Sequence, residues 1–297
     1  MRRAVVFSLI LAVGAISVAA FQAQQPKAAL PDLVKVKDNL YVIEGSTPGG
    51  TAFTGGNVGV FVTEKGVVVV DTKLAGYGPT ILAKIKAVTD KPVTMIVNTH
   101  THGDHTGSNE GFPASVEIVA HENTKANMAK MDAFKGDKAQ YLPDRTYKDK
   151  MSLLGGKDQI ALYYFGAGHT NGDTFIVFPA LRVLHAGDMF PWKDAPFLDR
   201  SNGGSGVEYP RTLSKLLAGV KDFDTVIPGH HPVTTRQDLE EYQRFTADLL
   251  AGVEAAVKAG RSSDEAVASI NLTAKYKGYK AERVKAAAQA IFDELKK

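Results

Sequence analysis

The 297-residue chain contains no cysteine. That absence excludes disulfides, a lipoprotein anchor and thiolate metal ligands together, so any metal must be held by imidazole and oxygen, and stability must rest on an apolar core. It also lacks an excess of charge of one sign: 35 Lys and Arg face 32 Asp and Glu, a net +3. These charges are spread along the chain, which gives no case for nucleic acid as a partner. Internal repeats and low-complexity tracts are missing as well. A long apolar run occurs only at the start, from Ala4 to Phe21, behind Arg2 and Arg3. This layout predicts a secretory signal over residues 1–23, with small residues Val18-Ala19-Ala20 near the cleavage point, and a linker over 24–32. The mature protein is then periplasmic or secreted, without stable membrane association. An uncleaved anchor is the rival reading, because the run just reaches spanning length, and the arginine pair alone is a thin basis for a twin-arginine route.

What is present reads as an alternating α/β chain. "LVKVKDNLYVIEG" and "NVGVFVTEKGVVVVDT" carry β-branched residues in alternating or continuous runs broken by turn residues, and so predict antiparallel hairpins. Between them Gly45 to Gly56 is rich in Gly and Thr and reads as a mobile surface loop. A helix is expected from Pro79 to Val88 and a buried strand from Pro92 to Thr99. The runs "VEIVA", "QIALYYFG", "TFIVFP", "RVLHAG" and "DTVIPG" predict further strands, interleaved with helices near Glu122 to Lys130 and Arg211 to Val220. Thr235 and Asp238 make a capping-box-like start to a helix whose apolar face is Leu239, Tyr242, Phe245, Leu249, Val253 and Val257. Val284, Ala288, Ile291 and Leu295 mark a terminal amphipathic helix. The expected organisation is one domain over 33–235, with C-terminal helices over 236–297 packed on it.

The chemistry concentrates in "THTHGDHTGSNE", residues 99–110, where His100, His102, Asp104 and His105 fall within six positions. On an extended loop His100 and His102 project to the same side and can converge on one ion at about 2.0–2.1 Å, while Asp104 and His105 reach a neighbouring point. The remaining ligands are sought at the ends of later strands, where "GAGHTNGD" offers His169, "LHAGDMF" offers Asp188 and "IPGHHPVT" offers His230. Each is flanked by glycine, which lets backbone approach an ion.

In these residues and their order the chain resembles the metallo-β-lactamase superfamily, through the H-x-H-x-D-H element His100 to His105 followed by His169, Asp188 and His230. The resemblance extends over Val34 to Glu241. It implies an αβ/βα sandwich of two mixed sheets with outer helices and a site at one edge. It also implies that His100, His102 and His169 hold one metal, that Asp104, His105 and His230 hold another, and that Asp188 bridges them. Asp71, closing "VVVVD", would support the site from behind. Two divalent ions are expected, zinc suiting nitrogen and oxygen ligands best, with iron or manganese also fitting. Such a pair would share a bridging hydroxide that attacks a carbonyl carbon, with Asp104 orienting it and passing a proton to the leaving group.

Other polar residues near these motifs have weaker assignments. His121 is expected to start a helix, in a structural or supporting role, and Asp173 to fix the loop that carries His169. His185, an odd number of residues from Asp188, should point away from it. Trp192 and Phe197 are candidates for a substrate wall, and Asp199 is read as loop structure. His231 faces either substrate or solvent. The substrate is a small molecule, cleaved at an ester, lactone, thioester or lactam. β-Lactamase action is the runner-up, because lactamases of the superfamily carry Cys or Ser at the position of Asp188. A glyoxalase-II-like thioesterase is a further alternative, with "KYKGYK" as a loose sign of thiol-conjugate contact, and a non-catalytic metal-binding module is the remaining class.

Overall fold

The computed structural model describes residues 27–46, 50 and 52–297, so the expected signal peptide and the first residues of the linker lie outside the described residues. Among the described residues thirteen strands form two sheets. The first joins β1 (Leu33–Lys37), β2 (Leu40–Ile43), β3 (Val58–Val62), β4 (Val67–Val70), β5 (Val93–Val97), β6 (Glu117–His121) and β7 (Arg145–Tyr147) in sequence order. The second joins β13 (Thr234–Thr235), β12 (Thr225–Pro228), β11 (Val183–Gly187), β10 (Phe175–Phe178), β9 (Ile160–Tyr163) and β8 (Lys150–Leu153).

The hairpins β1–β2 and β3–β4 are antiparallel, as the turn residues predict. Thr63 closes the second one, its hydroxyl donating to the Gly66 carbonyl at 2.7 Å. After β4 the chain crosses over through α1 (Gly78–Lys86), and β4, β5, β6 and β7 run parallel. In the second sheet β11 and β12 are the parallel pair, joined through α4 (Tyr209–Gly219). The short strands β7, β8 and β13 have no counterpart in the sequence reading. Each spans two to four residues, too few to establish a period.

Strand β4 is Val at all four positions because both its faces are covered. Val68 and Val70 join Phe61, Leu162, Ile176 and Phe178 between the sheets. Val67 and Val69 instead meet Ile81 and Ile85 of α1 on the outer side. On the far side of the second sheet Phe175, Leu184 and Val226 pack with α4, with α5 (Arg236–Lys258) and with α7 (Val284–Leu295). The result is helix, sheet, sheet, helix: the four-layer sandwich that the resemblance implies.

Helix α5 starts at the expected capping box, Thr235 and Asp238 each bonding the other's backbone N–H. Its buried face includes Leu239, Tyr242, Phe245, Leu249 and Val253. A short helix α6 (Ser263–Ser269) follows, and the chain from Ile270 to Arg283 is non-helical. The tail is therefore less helical than its composition suggests. Phe245 is fully buried between α5 and the tail tyrosines Tyr276 and Tyr279, at centroid distances of 5.3 and 4.6 Å. Replacing it by alanine should cost about 3–5 kcal/mol. Since one core joins α5, α7 and the second sheet, urea unfolding of Phe245→Ala should keep a single transition with a lower midpoint; a separate early transition of the tail would contradict this.

Candidate metal centre

The parallel pairs explain where the site forms. Parallel strands end on the same side, and here the carboxyl ends of β4 and β5 in one sheet meet those of β11 and β12 in the other. Asp71 directly follows β4, the His100–His105 segment follows β5, Asp188 follows β11 and His230 follows β12. His169 comes from the longer loop between β9 and β10. This differs from the sequence reading, which puts it at a strand end. The His100–His105 segment is not extended throughout either: it bends at His102 into a single helical turn, α2 (Gly103–Thr106), which carries Asp104 and His105 to the second cluster.

The seven candidate ligands converge. Donor atoms of His100, His102 and His169 lie within 4.8 Å of one another, as do those of Asp104, His105 and His230, and those of His100, His105 and Asp188. Asp188 reaches both trios: its Oδ1 is 3.3 Å from His105 Nε2, and its Oδ2 is 3.6 Å from His169 Nε2 and 3.4 Å from His230 Nε2.

Each imidazole is tied at its outer nitrogen, leaving the inner one directed at the cluster. His105 Nδ1 donates to Asp71 Oδ2 at 2.7 Å, His169 Nδ1 to the Phe197 carbonyl at 2.8 Å, and His230 Nδ1 to the Ser46 carbonyl at 3.0 Å. His102 is tied at Nε2, to Asp199 Oδ2 at 2.8 Å. His100 Nδ1 meets Thr99 Oγ1 at 2.9 Å, and that hydroxyl donates onward to Asp71. Because the outer partners are acceptors, the outer nitrogen carries the proton and the inner one presents its lone pair. The inward atoms His100 Nε2 and Asp188 Oδ1 are buried without a hydrogen-bond partner. Buried polar atoms rarely go unpaired. A centre of imidazole and carboxylate donors with orphaned inward atoms fits divalent cations.

Glycine is required where backbone crowds the ligands. A Cβ on Gly56 would collide with the His105 ring, and one on Gly229 would collide with Asp188 Oδ1.

The supporting residues sort clearly. Asp71, fully buried and at φ +60°, accepts from Thr99 N, Thr99 Oγ1 and His105. Asp173 accepts from Thr170 N and Oγ1 at 2.9 and 2.7 Å, next to His169. His121 lies away from the ligands: it caps α3 (Glu122–Met128), its ring stacks on Tyr164 at 4.0 Å, and its Nε2 meets the Lys148 carbonyl. Its link to the site is indirect, since Asn123 and Thr124 of α3 donate to the Asn171 and Gly172 carbonyls beside His169. His185 is buried, with its Nδ1 accepting from Gly187 N.

Over the ligands opens a cavity of about 590 Å³, lined among others by His102, Asp104, His169 and Asp188, with Trp192 and Phe197 in its wall. Phe190, from the same segment, is core. His231 does not line this cavity; its carbonyl accepts from Asn57, and its ring turns to the Pro232 carbonyl.

Three supporting residues escape the sequence reading. Asp199, read as loop structure, orients His102. Asn57 binds the Pro228 and His231 carbonyls at 2.8 Å each and so ties the start of β3 to the loop carrying His230. Lys73, fully buried at φ +65°, donates to the Glu44 and Gly56 carbonyls at 2.9 and 2.8 Å. Burial pushes its pKa down to about 7, against the pull of Asp104 and Glu44. It clasps both ends of the Gly45–Gly56 loop, whose base is therefore held rather than loose. No local pattern marks any of the three, because each acts on a group distant in sequence: Asp199 on the His102 ring, Asn57 and Lys73 on backbone carbonyls.

Burial, and then the neighbouring His105 and His169, hold His100 well below the usual imidazole range; burial and His102 bring His169 down to about 4. Burial also opposes charge on His105 and His230, but nearby carboxylates outweigh it, raising His105 well above the ordinary value and His230 to about 9. A cation entering the second trio must displace those protons. Apparent zinc affinity should therefore rise as pH increases from 7 toward 9, with proton release at pH 7 measurable by titration calorimetry in buffers of different ionisation enthalpy. Asp71→Ala should weaken zinc binding about ten- to hundredfold while the far-ultraviolet circular dichroism stays unchanged; unaltered affinity would contradict the orienting role.

The comparisons with known proteins agree with this geometry. Residues 51–239 match the family model described as metallo-beta-lactamase superfamily. The chain is 30% identical over 236 residues to a protein named metallo-beta-lactamase type 2 from Elizabethkingia meningoseptica, covering 75% of this chain and 87% of that one. It is 29% identical over 178 residues to the 2,4-dinitroanisole O-demethylase subunit alpha of a Nocardioides species, covering 59% of this chain and 51% of the relative. Among solved structures, the metallo-beta-lactamase from Pontibacter korlensis superposes with a TM-score of 0.64 at 21% identity, over 74% of this chain and 99% of that one. The metallo-beta-lactamase from Erythrobacter litoralis gives 0.62 at 18% identity, over 74% and 100%. With its sandwich, its converging histidines and more than half its length matched, the chain belongs to the metallo-β-lactamase superfamily and is a metal-dependent hydrolase.

Proposed function

We propose that this chain is an exported hydrolase that holds two zinc ions and cleaves a carbonyl-type bond, an ester, lactone, thioester or lactam, in a small molecule. The observation that carries the reading is Asp188, whose carboxylate reaches inward-facing donors of both trios, His169 in one and His105 and His230 in the other. His100, His102 and His169 would hold one ion and Asp104, His105 and His230 the other, with Asp188 between. When bound, such a pair supplies a hydroxide near neutral pH and polarises the carbonyl under attack. Export rests on Arg2, Arg3 and the apolar run to Phe21.

The chain's own part centres on Asp104. Burial pushes its carboxyl up, but His105 and the bond from His230 prevail and hold it down at about 2, so it is ionised at neutral pH. It borders the cavity at the second trio. There it orients the attacking oxygen and takes its proton as the new carbon–oxygen bond forms, then delivers that proton to the leaving group as the scissile bond breaks. His102 and His169 form the cavity floor, fixed by Asp199 and the Phe197 carbonyl. The apolar walls exclude water from competing contacts with the substrate.

One relative, 30% identical and named a metallo-beta-lactamase, favours lactams as the bond cleaved. The carboxylate at position 188 favours the broader range, since lactamases of the family carry Cys or Ser there. A panel of β-lactams, lactones, thioesters and phosphoesters with zinc-loaded protein separates the two readings. The Asp104→Ala protein should lose about a hundredfold or more in kcat on every substrate turned over. If no compound distinguishes the two proteins, the hydrolase reading fails; turnover confined to chromogenic lactams would narrow it to lactamase. Zinc analysis at saturation should give two ions per chain, and Asp188→Ala fewer.

A further inference from the structure

The cavity has two cationic side chains in its lining, Lys138 and Arg283. Lys138 is neutralised by Glu110 at 2.7 Å. The half-buried Arg283 has no carboxylate or carbonyl partner for its guanidinium among the described residues; the group lies instead over Trp192 at 4.5 Å and near Phe197 at 5.7 Å. Both of these rings touch candidate ligands. Trp192 is 5.8 Å from the His230 ring, and Phe197 is 5.9 Å from those of His102 and His169. The guanidinium thus sits one aromatic ring beyond each half of the metal centre.

Its position is built, not incidental. Arg283 lies in the C-terminal extension, past the family match that ends at residue 239. The non-helical stretch before α7 docks on the loop carrying both rings: Lys280 N donates to the Lys193 carbonyl at 2.9 Å, and Arg283 N donates to Asp194 Oδ1 at 3.4 Å. Lys193 in turn pairs with Asp238 of α5 at 2.6 Å. An apolar wall with a single uncompensated guanidinium is poised for an organic anion, because stacking on aromatic faces offsets only part of the cost of shielding the charge from water.

We propose that Arg283, with Trp192 and Phe197, forms a subsite for a carboxylate on the substrate, so that this chain selects apolar-bodied organic anions over their neutral counterparts. The proposal rests on the hydrolase reading for the bond cleaved, and the carboxylate lies on the side of the scissile carbonyl that faces the C-terminal extension. Arg283 is a specificity-determining residue here: it contacts substrate but takes no part in proton transfer.

The test uses zinc-loaded full-length protein and matched aryl esters that differ only in a distal group, a carboxylate in one and its methyl ester in the other. Within one protein preparation the ratio of their kcat/KM values does not depend on the fraction folded. Wild type should favour the anionic ester, and Arg283→Gln should lower the ratio about tenfold or more, mostly through KM. Arg283→Lys, which keeps the charge, should recover part of it. An equal ratio in all three proteins overturns the proposal. Trp192 is the single tryptophan of the chain, so its fluorescence reports binding without turnover. Phenylacetate should perturb the emission at lower concentration than phenylacetamide in wild type, and that difference should shrink in Arg283→Gln. If it does so while no ester is turned over, the subsite stands and the hydrolase reading falls; if the acid and amide bind alike in wild type, the subsite falls whatever the turnover.

Discussion

The candidate metal centre depends on one buried carboxylate. Asp71 accepts the His105 Nδ1 proton directly and, through the Thr99 hydroxyl, stands behind His100. It also takes the Thr99 N–H, which fixes the backbone as the ligand segment leaves β5. A single side chain therefore sets ring orientation for one ligand in each trio and the direction of the loop that holds four of them. Asp is one of the residues that tolerate the left-handed backbone found here, and burial makes each of its bonds stronger than it would be at a surface.

Around that point the architecture follows from strand direction. The parallel strands β4 and β5 in one sheet and β11 and β12 in the other bring four carboxyl ends to one edge, and the β9–β10 loop adds His169. Asn57 then ties the two sheets together by bonding the Pro228 carbonyl, and Lys73 ties the base of the Gly45–Gly56 loop to the end of β4 by bonding the Gly56 carbonyl. Neither touches the inward donor atoms, yet both hold backbone from which ligands or the covering loop emerge.

The C-terminal helices do more than complete the second hydrophobic layer. By packing α5 and α7 on the sheet they bring the stretch before α7 onto the Trp192–Phe197 loop, and so set a cation over the cavity wall. The shared family core provides the reacting edge, while the extension decides which charge is welcome there.

Most of the candidate centre was legible from the chain alone because its candidate ligands are chemically conspicuous. His100, His102, Asp104 and His105 stand close together, and His169, Asp188 and His230 follow beside glycines. The strands and helices were legible too, through β-branched runs and helical spacing, apart from pieces too short to show a period. The amino-acid sequence by itself determined the candidate ligand types, the absence of thiolate, the alternating α/β order and the start of α5. Tertiary structure alone decided that Asp199 orients His102, that His231 turns away from the cavity, and that Arg283 enters it. The physical reason is that a ligand motif is written in local spacing, whereas hydrogen bonds to distant backbone and the covering of a cavity exist only once the layers have packed.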